Sequence, residues 1–390
     1  NRDLQSAAAR VLEYRATYGA TRADLFPQIS AGASAARTKT TFGSLVIPTF
    51  DQFAVTANLQ WELDFFGRIR RSTEAAQFDW AGRDDDRRAL LLSLVGDVST
   101  AYLELRELDE DLVISDQTMI SRQQSLKLAR DRFAQGVISE LDVRQFEAEV
   151  GVAAARVAQY TRLRAQKENQ ISLLLGQVPG DIHRGMKLSD VVLAVTPPDS
   201  VRSSLLVRRP DVLRAQHDWS AALARVGVAE ASRLPRVIIT GQYGRQSTGL
   251  DSLFISNAAI YTIQAGISVP IFTGGKLVDQ QAAARARAEQ ARLHYEQTLL
   301  SALRETSDAL AGVRLSRDEV AAQETQVRAL TRALELAQRR YESGITSYFD
   351  LLDVERQLFA AQLVMTQTQR QYLASVVQLY KALGGSWDSR

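Results

Sequence analysis

The stretch that decides the fold runs from Phe53 to Phe65 and reads FAVTANLQWELDF. Its odd-numbered positions are apolar, whereas the even-numbered positions from Thr56 to Asp64 are polar. This period of two is typical of a β-strand, because successive side chains of a strand point to opposite faces. The sequence therefore predicts a strand at about residues 52–65, with one apolar and one polar face.

Three further segments alternate in the same way. Residues 260–272 do so almost as cleanly, and residues 28–38 and 236–246 do so less cleanly. Each segment suits a tilted transmembrane strand, which needs roughly 9–11 residues. We predict that the polar faces line a water-filled lumen. We predict that lipid is contacted by Phe53, Val55, Leu59, Trp61, Leu63, Ile263, Ile267 and Val269.

Four strands are too few for a membrane barrel, which has at least about eight. Because open sheet edges are not tolerated in lipid, the chain must then oligomerise. Two copies would supply about eight strands and three about twelve, and the pattern alone does not choose between them. The alternative is a soluble coiled-coil scaffold protein that carries the strands as two capping hairpins. Against it, no further layer is left in the sequence to cover their apolar faces.

The chain contains one unit written twice. Pro27 and Pro235 lie 208 positions apart (235 − 27 = 208), and Gly67 and Gly275 have the same offset (275 − 67 = 208). We predict a first repeat at residues 1–176, a linker or equatorial region at 177–208, a second repeat at 209–384 and a tail at 385–390. A period this long indicates a duplicated domain rather than a solenoid.

Each repeat is predicted to begin with a short helix, near residues 1–24 and 210–232, and to end in a long helical hairpin. No proline interrupts residues 68–178 or follows Pro270, so long helices are permitted. Apolar residues recur every seven positions there, which is typical of coiled coils. One series is Leu105, Leu112, Met119, Leu126 and Phe133, and its copy is Val313, Val320, Val327, Leu334 and Tyr341.

The two hairpin tips are predicted at residues 136–139 and 344–347. Gly136 and Gly344 suit the position just beyond a helix C-terminus. Ser139 and Ser347 suit the next N-cap, because an aspartate follows each of them three residues later. The short helices could stack end to end on the returning helices, which are only about half as long as the entering ones.

Composition excludes several classes of function. With 47 Lys and Arg against 45 Asp and Glu, and no basic block, nothing predicts nucleic-acid binding. The chain has no cysteine and no histidine pair at ligand spacing, so no metal site is expected. No cofactor fingerprint and no nucleophile–base pair is present, so we predict no cofactor and no enzyme activity. We read the run Asp84–Arg88 as a solvated helix face.

No apolar run approaches the roughly 20 residues of a membrane helix. No signal peptide is visible, and Asn1 falls inside a predicted helix. We therefore expect that further residues precede Asn1 in the full protein.

Several motifs resemble the TolC outer-membrane factors, most closely the OprM/NodT-like branch. They are LDFFGR at 63–68, RRPD at 208–211, PIFTGG at 270–275 and YESG at 341–344 followed by LLD at 351–353. The resemblance covers essentially the whole chain. It implies a homotrimer that shares one twelve-stranded β-barrel in the outer membrane of a Gram-negative bacterium, with a long antiparallel coiled-coil α-barrel extending through the periplasm. It also implies an exit duct for drugs or other toxic compounds, with a periplasmic adaptor and an inner-membrane pump of the resistance-nodulation-division type as partners.

The resemblance also places a periplasmic gate just past the second tip, at Phe349, Asp353 and Arg356, which share one helix face. In a trimer Asp353 would form an acidic ring and Phe349 an apolar plug. Alternatively, Asp353 and Arg356 form a solvated ion pair. Asp350 belongs to the same region, although its match to Asp142 favours a capping role. The resemblance predicts adaptor docking, or simply hairpin closure, at Gly136, Val137, Ser139, Gly344, Ile345 and Ser347.

Overall fold

The computed structural model describes residues 1–39, 41–42, 45–46, 48–191 and 208–385. Most of the predicted linker, residues 192–207, and all but the first residue of the predicted tail lie outside the described residues. The helices are α1 (Arg2–Ala23), α2 (Arg68–Ala134), α3 (Glu140–Leu175), α4 (Pro210–Ala231), α5 (Lys276–Glu342) and α6 (Tyr348–Ala382). The strands are β1 (Gln28–Thr38), β2 (Thr41–Phe42), β3 (Leu45–Val46), β4 (Phe50–Leu63), β5 (Arg236–Ser247) and β6 (Ala259–Ser268). Short 3₁₀ turns occupy Leu188–Asp190 and Ser256–Ala258.

The duplication is visible in the helix bounds. Helix α4 has the bounds of α1 shifted by 208 positions, and α5 has those of α2 shifted by the same number (276 − 68 = 208). The long helices α2 and α5 have 67 residues each, whereas the returning helices α3 and α6 have 36 and 35. The two halves of the chain therefore build the same succession of helices.

Four strands form one antiparallel sheet in the order β1-β4-β5-β6, so β1 and β6 are its edges within the described residues. The central strand β4 begins and ends two residues earlier than predicted. The short strands β2 and β3 lie between β1 and β4 in the chain and pair with each other. The sheet combines both repeats, because β4 of the first half pairs with β5 of the second.

The last strand is shorter than predicted. It ends at Ser268 instead of about residue 272, so Val269 lies just outside the strand that was assigned to lipid contact. Apolar alternation continues past this point, but Pro270 has no N–H to donate to a neighbouring strand. The prediction followed side-chain pattern alone and was wrong at this end.

The motifs that carried the resemblance close the ends of helices. The Asp64 carboxylate accepts hydrogen bonds from the backbone N–H groups of Ile69 (3.1 Å) and Arg70 (2.8 Å) at the start of α2. Between them the chain turns at Gly67, whose φ of 80° is one that a side chain disfavours. The Asp64 side chain thus pairs two backbone N–H groups that the start of α2 would otherwise leave without a partner.

The first residue of each repeat binds the end of that repeat's returning helix. Asn1 Nδ2 donates to the Leu174 carbonyl at 2.9 Å, and Arg209 Nη1 donates to the equivalent Ala382 carbonyl at 3.2 Å. Arg209, from the RRPD motif, also binds Asp211 and Glu305. The short helices therefore begin where α3 and α6 end, as predicted.

The described chain divides into two compact units. We call Asn1–Ser6, Arg88–Val212 and Leu299–Arg390 the hairpin unit, and Ala7–Arg87 with Leu213–Thr298 the sheet unit. In the sheet unit the acidic run at residues 84–86 is not the solvated face that we predicted. Asp85 is buried and its carboxylate lies 2.7 Å from His217 Nδ1, and Asp86 pairs with Arg214 at 3.0 Å. The acidic sequence is typical of a solvent-exposed face, but Asp85 and Asp86 connect α2 to α4.

Among the described residues, no helix combines the length and the apolar character that a bilayer-spanning helix requires.

Candidate functional site

Both hairpin tips have the same backbone construction. Gly136 adopts a φ of 74°, its N–H donates to the Phe133 carbonyl at 2.9 Å, and the Val137 N–H reaches back to the Arg132 carbonyl at 2.9 Å. This pair of bonds is a Schellman motif, which satisfies carbonyls at a helix C-terminus. The second tip repeats the pattern at Gly344, whose φ is 71°.

The next helices begin with the predicted capping boxes. Ser139 caps α3 with Asp142, and Ser347 caps α6 with Asp350. The Asp350 carboxylate accepts hydrogen bonds from the Ser347 N–H at 3.2 Å and its hydroxyl at 3.0 Å. Because this carboxylate is occupied in closing the tip, we withdraw Asp350 from the gate and keep it as a capping residue.

Each tip presents an apolar side chain to its surroundings. Val137 is 66% exposed and Ile345 is 67% exposed. The Schellman motif fixes the backbone at both residues, so their side chains project from a rigid turn. The two repeats thus expose an aliphatic side chain at matching places in their tips.

The predicted gate residues occupy two different environments. Phe349 is 64% exposed. Asp353 is also exposed and accepts a hydrogen bond from Gln357 Nε2 at 2.7 Å. Arg356 instead turns to Glu149 on α3, which its Nε reaches at 2.8 Å. The structure therefore keeps Phe349 and Asp353 on an open face and connects Arg356 to the first hairpin.

Glu149 is the centre of a cluster that joins the two hairpins. We call Arg122, Glu149 and Arg356 the inter-hairpin cluster. Arg122 Nη1 lies 2.9 Å from Glu149 Oε2 and donates to the Glu149 carbonyl at 3.0 Å. The side chains of Arg122 and Glu149 are 4% and 6% exposed, whereas that of Arg356 is 53% exposed. The cluster thus has a buried half and an open half.

Aromatic packing supports the same junction. Tyr348, the first residue of α6, stacks on Phe146 of α3 with ring centroids 3.5 Å apart. Burial raises the pKa of the Tyr348 hydroxyl, and the negative charges of Glu355 and Glu149 raise it further. Burial also raises the pKa of Glu355, although nearby Arg122 opposes that shift. The start of α6 is therefore held to the first hairpin by the Tyr348–Phe146 ring contact and by the Arg356–Glu149 ion pair.

Half of the residues predicted to face lipid are exposed in the single chain, and the other half are half-buried. Ile263 is 80% exposed and Ile267 is 72% exposed. On β4 Val55 is exposed, whereas Phe53, Leu59, Trp61 and Leu63 are half-buried. Trp61 Nε1 donates to the Leu25 carbonyl at 3.0 Å. The apolar side of β6 thus lacks a covering layer within the described chain.

Comparison with known proteins decides the family. The model of the family described as outer membrane efflux protein matches residues 1–177 and 201–385, one match for each repeat.

The chain belongs to the outer membrane efflux protein family.

Among curated relatives, the solvent efflux pump outer membrane protein SrpC of Pseudomonas putida is 36% identical over 100% of this chain and 83% of its own length. The antibiotic efflux pump outer membrane protein ArpC of Pseudomonas putida is 34% identical over 99% of this chain and 81% of its own. The solved outer-membrane channel OprN superposes with a TM-score of 0.93 at 29% identity, covering 99% of this chain and 88% of that one.

Membership of the outer membrane efflux protein family confirms the resemblance, the fold class and the outer-membrane location predicted from the sequence. The relatives are named as efflux proteins, so the soluble scaffold alternative was wrong and no finding favours an enzyme. Within the part of the chain that the structure describes, no group of His, Cys, Asp or Glu side chains is arranged to hold a metal ion.

Sequence reasoning missed the buried half of the inter-hairpin cluster. Arg122 escaped notice because it is charged, yet it occupies a heptad core position. That series runs Ala101, Leu108, Ser115, Arg122 and Ala129, seven residues apart, and most of its members are buried. Glu149 likewise lies three residues after the buried Phe146. The detectable signal was a charge at core spacing, which is unusual unless the charge is paired.

The repeat supplied a second signal. The positions equivalent to Arg122 and Glu149 in the second half are Leu330 (122 + 208) and Gln357 (149 + 208). The Arg122–Glu149 ion pair therefore has no counterpart at the equivalent positions of the second hairpin.

Proposed function

We propose that three copies of this chain close one twelve-stranded barrel and form the outer-membrane exit duct of a tripartite efflux system. The observation that carries the proposal is the four-stranded sheet, whose edges β1 and β6 are unpaired in the described chain. Lipid does not tolerate open edges, so β6 of one copy must pair with β1 of the next. The strands alternate in direction, so this pairing is antiparallel and the total is even, as in bacterial barrels.

The partners are a periplasmic adaptor and an inner-membrane pump of the resistance-nodulation-division type. The relatives are named as outer-membrane proteins of efflux pumps, and a duct of this kind has no energy source of its own. The exposed side chains of Val137 and Ile345 are the contacts that we assign to the adaptor. Gly136, Ser139, Gly344 and Ser347 hold those contacts in place through the turns and caps of the tips.

The cargo is a class of small toxic compounds. Names of relatives refer to solvents and to antibiotics, which are different classes of compound. A duct that serves such different compounds needs no dedicated binding pocket, and selection rests with the pump.

We assign the gate to the start of α6. Phe349 and Asp353 would form an apolar plug and an acidic ring about the threefold axis, and charged rings of this kind set selectivity in other channels. Arg356 keeps α6 against the first hairpin through Glu149. Release of that contact would let α6 move outward and widen the ring.

Planar-bilayer recording of the detergent-purified protein tests this function. We expect heat-modifiable trimers that insert and give a small, stable conductance. The double variant Asp353→Ala with Arg356→Ala should raise single-channel conductance, because it removes the acidic ring and the contact that holds α6. Arg144→Ala is the matched control, since Arg144 forms an exposed ion pair with Glu147 near the first tip. A protein that never inserts would contradict the duct, and an unchanged conductance of the double variant would contradict the gate.

A further inference from the structure

Two rows of uncharged polar side chains cross the whole sheet in register. The first row joins one residue from each strand, and so does the second, two residues along. All eight side chains line a single groove of about 530 Å³ on one face of the sheet. The rows are Gln28–Gln60–Thr240–Gln264 and Ser30–Asn58–Gln242–Thr262.

This face is opposite to the lipid-facing side. Side chains alternate along a strand, so the even-numbered residues of the rows point away from odd-numbered neighbours such as Ile263 and Ile267. Ile263 and Ile267 are among the most exposed apolar side chains of the described chain. If those apolar residues contact lipid, the two rows contact the lumen.

The same face is free of charge over most of its length. Within the described strands, its even-numbered residues are neither acidic nor basic at 28–38, 52–60, 238–246 and 260–268. The nearest charges on this face lie at one end of the strands, at Glu62 and Arg236. Glu62 is neutralised by Arg68, whose Nη2 lies 2.9 Å from its carboxylate.

We propose that these rows, the amide belt, form a charge-neutral hydrogen-bonding lining of the barrel that passes polar groups of either sign without selecting between them. The proposal rests on the proposed function, because it needs a closed lumen. Side-chain amides both donate and accept hydrogen bonds, so they can replace water around cations, anions and neutral polar groups alike. Carboxylate rings, in contrast, favour cations. The amide belt therefore adapts the barrel to compounds that differ in charge and leaves charge discrimination to other levels of the duct.

The ion selectivity of purified trimers in planar bilayers tests the belt. Under a KCl gradient, Gln60→Lys should lower the K⁺/Cl⁻ permeability ratio and Gln60→Glu should raise it, each by about twofold or more at low salt, because each adds three charges to one ring. Both effects should fade near 1 M salt, where the Debye length is only about 3 Å. Arg37→Gln also changes three charges per trimer, on the opposite face of the same sheet, where Arg37 pairs with Asp51 at 3.1 Å, and should leave the ratio unchanged.

The outcomes separate the belt from the duct. Opposite shifts for the two Gln60 variants, without a shift for Arg37→Gln, support the belt. Conducting trimers whose ratio ignores both Gln60 variants would overturn the belt and leave the duct standing. A shift of equal size with Arg37→Gln would also overturn the belt, since the effect would then not depend on the face. Failure of the wild-type protein to conduct would instead reject the proposed function.

Discussion

Replacing Arg356 and Glu149 in turn should separate the proposed gating contact from the packing contact in the inter-hairpin cluster. Arg356→Ala removes a side chain that is 53% exposed, and Glu149 keeps Arg122 at 2.9 Å. Exposed pairs contribute about 0–1 kcal/mol, so the loss of stability should be small. Glu149→Ala instead leaves Arg122 buried without its carboxylate, and breaking a buried pair in this way costs about 3–5 kcal/mol. The two variants should therefore differ by roughly 2–5 kcal/mol in the free energy of unfolding.

The assay has two readouts. Guanidinium unfolding in detergent, followed by helical circular dichroism, measures stability, and bilayer recording measures conductance. We expect Arg356→Ala to raise conductance at near wild-type stability, and Glu149→Ala to raise conductance with a clear loss of stability. Equal destabilisation by both variants would refute the division into a buried and an open half. Arg356→Ala channels that conduct like the wild type would refute a gating role for the contact.

Three further predictions concern titration, capping and backbone. Burial, and then neighbouring carboxylates, raise the pKa of Asp111 from 3.8 to about 7, although the Thr366 hydroxyl opposes the shift. A raised pKa in the folded state means that stability falls as pH rises from about 4 to 7, by roughly 4 kcal/mol for about 3 pH units, and Asp111→Asn should abolish that part of the pH dependence in unfolding measurements at pH 4 and pH 8. Ser347→Ala should cost about 1 kcal/mol, seen as a lower guanidinium midpoint, because the α6 cap is lost; an unchanged midpoint would show that the cap does not matter. Gly136→Ala should destabilise by about 1 kcal/mol because its φ is positive, whereas Gly151→Ala, in an open helical position of α3, should stabilise by a similar amount; melting temperatures that move together would contradict this.

Much of the fold was predictable because its signals are local. Proline placement and glycine turns located the long helices, and the serine–aspartate spacing located both caps. The offset of 208 then allowed each half to check the other. The end of β6 was misjudged because side-chain alternation continues beyond the last residue whose backbone can pair.

The contacts at the proposed gate were less predictable because they join residues that are distant in sequence. Glu149 and Arg356 are 207 residues apart, and no local pattern couples them. Arg122 was overlooked because a polarity pattern treats an arginine as surface, whereas a paired arginine can occupy a heptad core. The helical spacing predicts that Phe349, Asp353 and Arg356 share one helix face. The arginine side chain, however, is long enough to reach Glu149 on α3.

If the gate lies at the start of α6, as we propose, the sharing of the Glu149 carboxylate between two arginines has a consequence for how the gate opens. When Arg356 separates from Glu149, Arg122 still neutralises the Glu149 carboxylate inside the first hairpin. Opening then leaves no buried charge without a partner. The free energy that opposes opening in each subunit is only that of a surface ion pair, about 1 kcal/mol or less. In a trimer, three such contacts together oppose opening by no more than about 3 kcal/mol. Modest adaptor contacts can overcome this free energy, and the ion pairs form again when the adaptor leaves. Arg122 thus makes the release of Arg356 from Glu149 reversible.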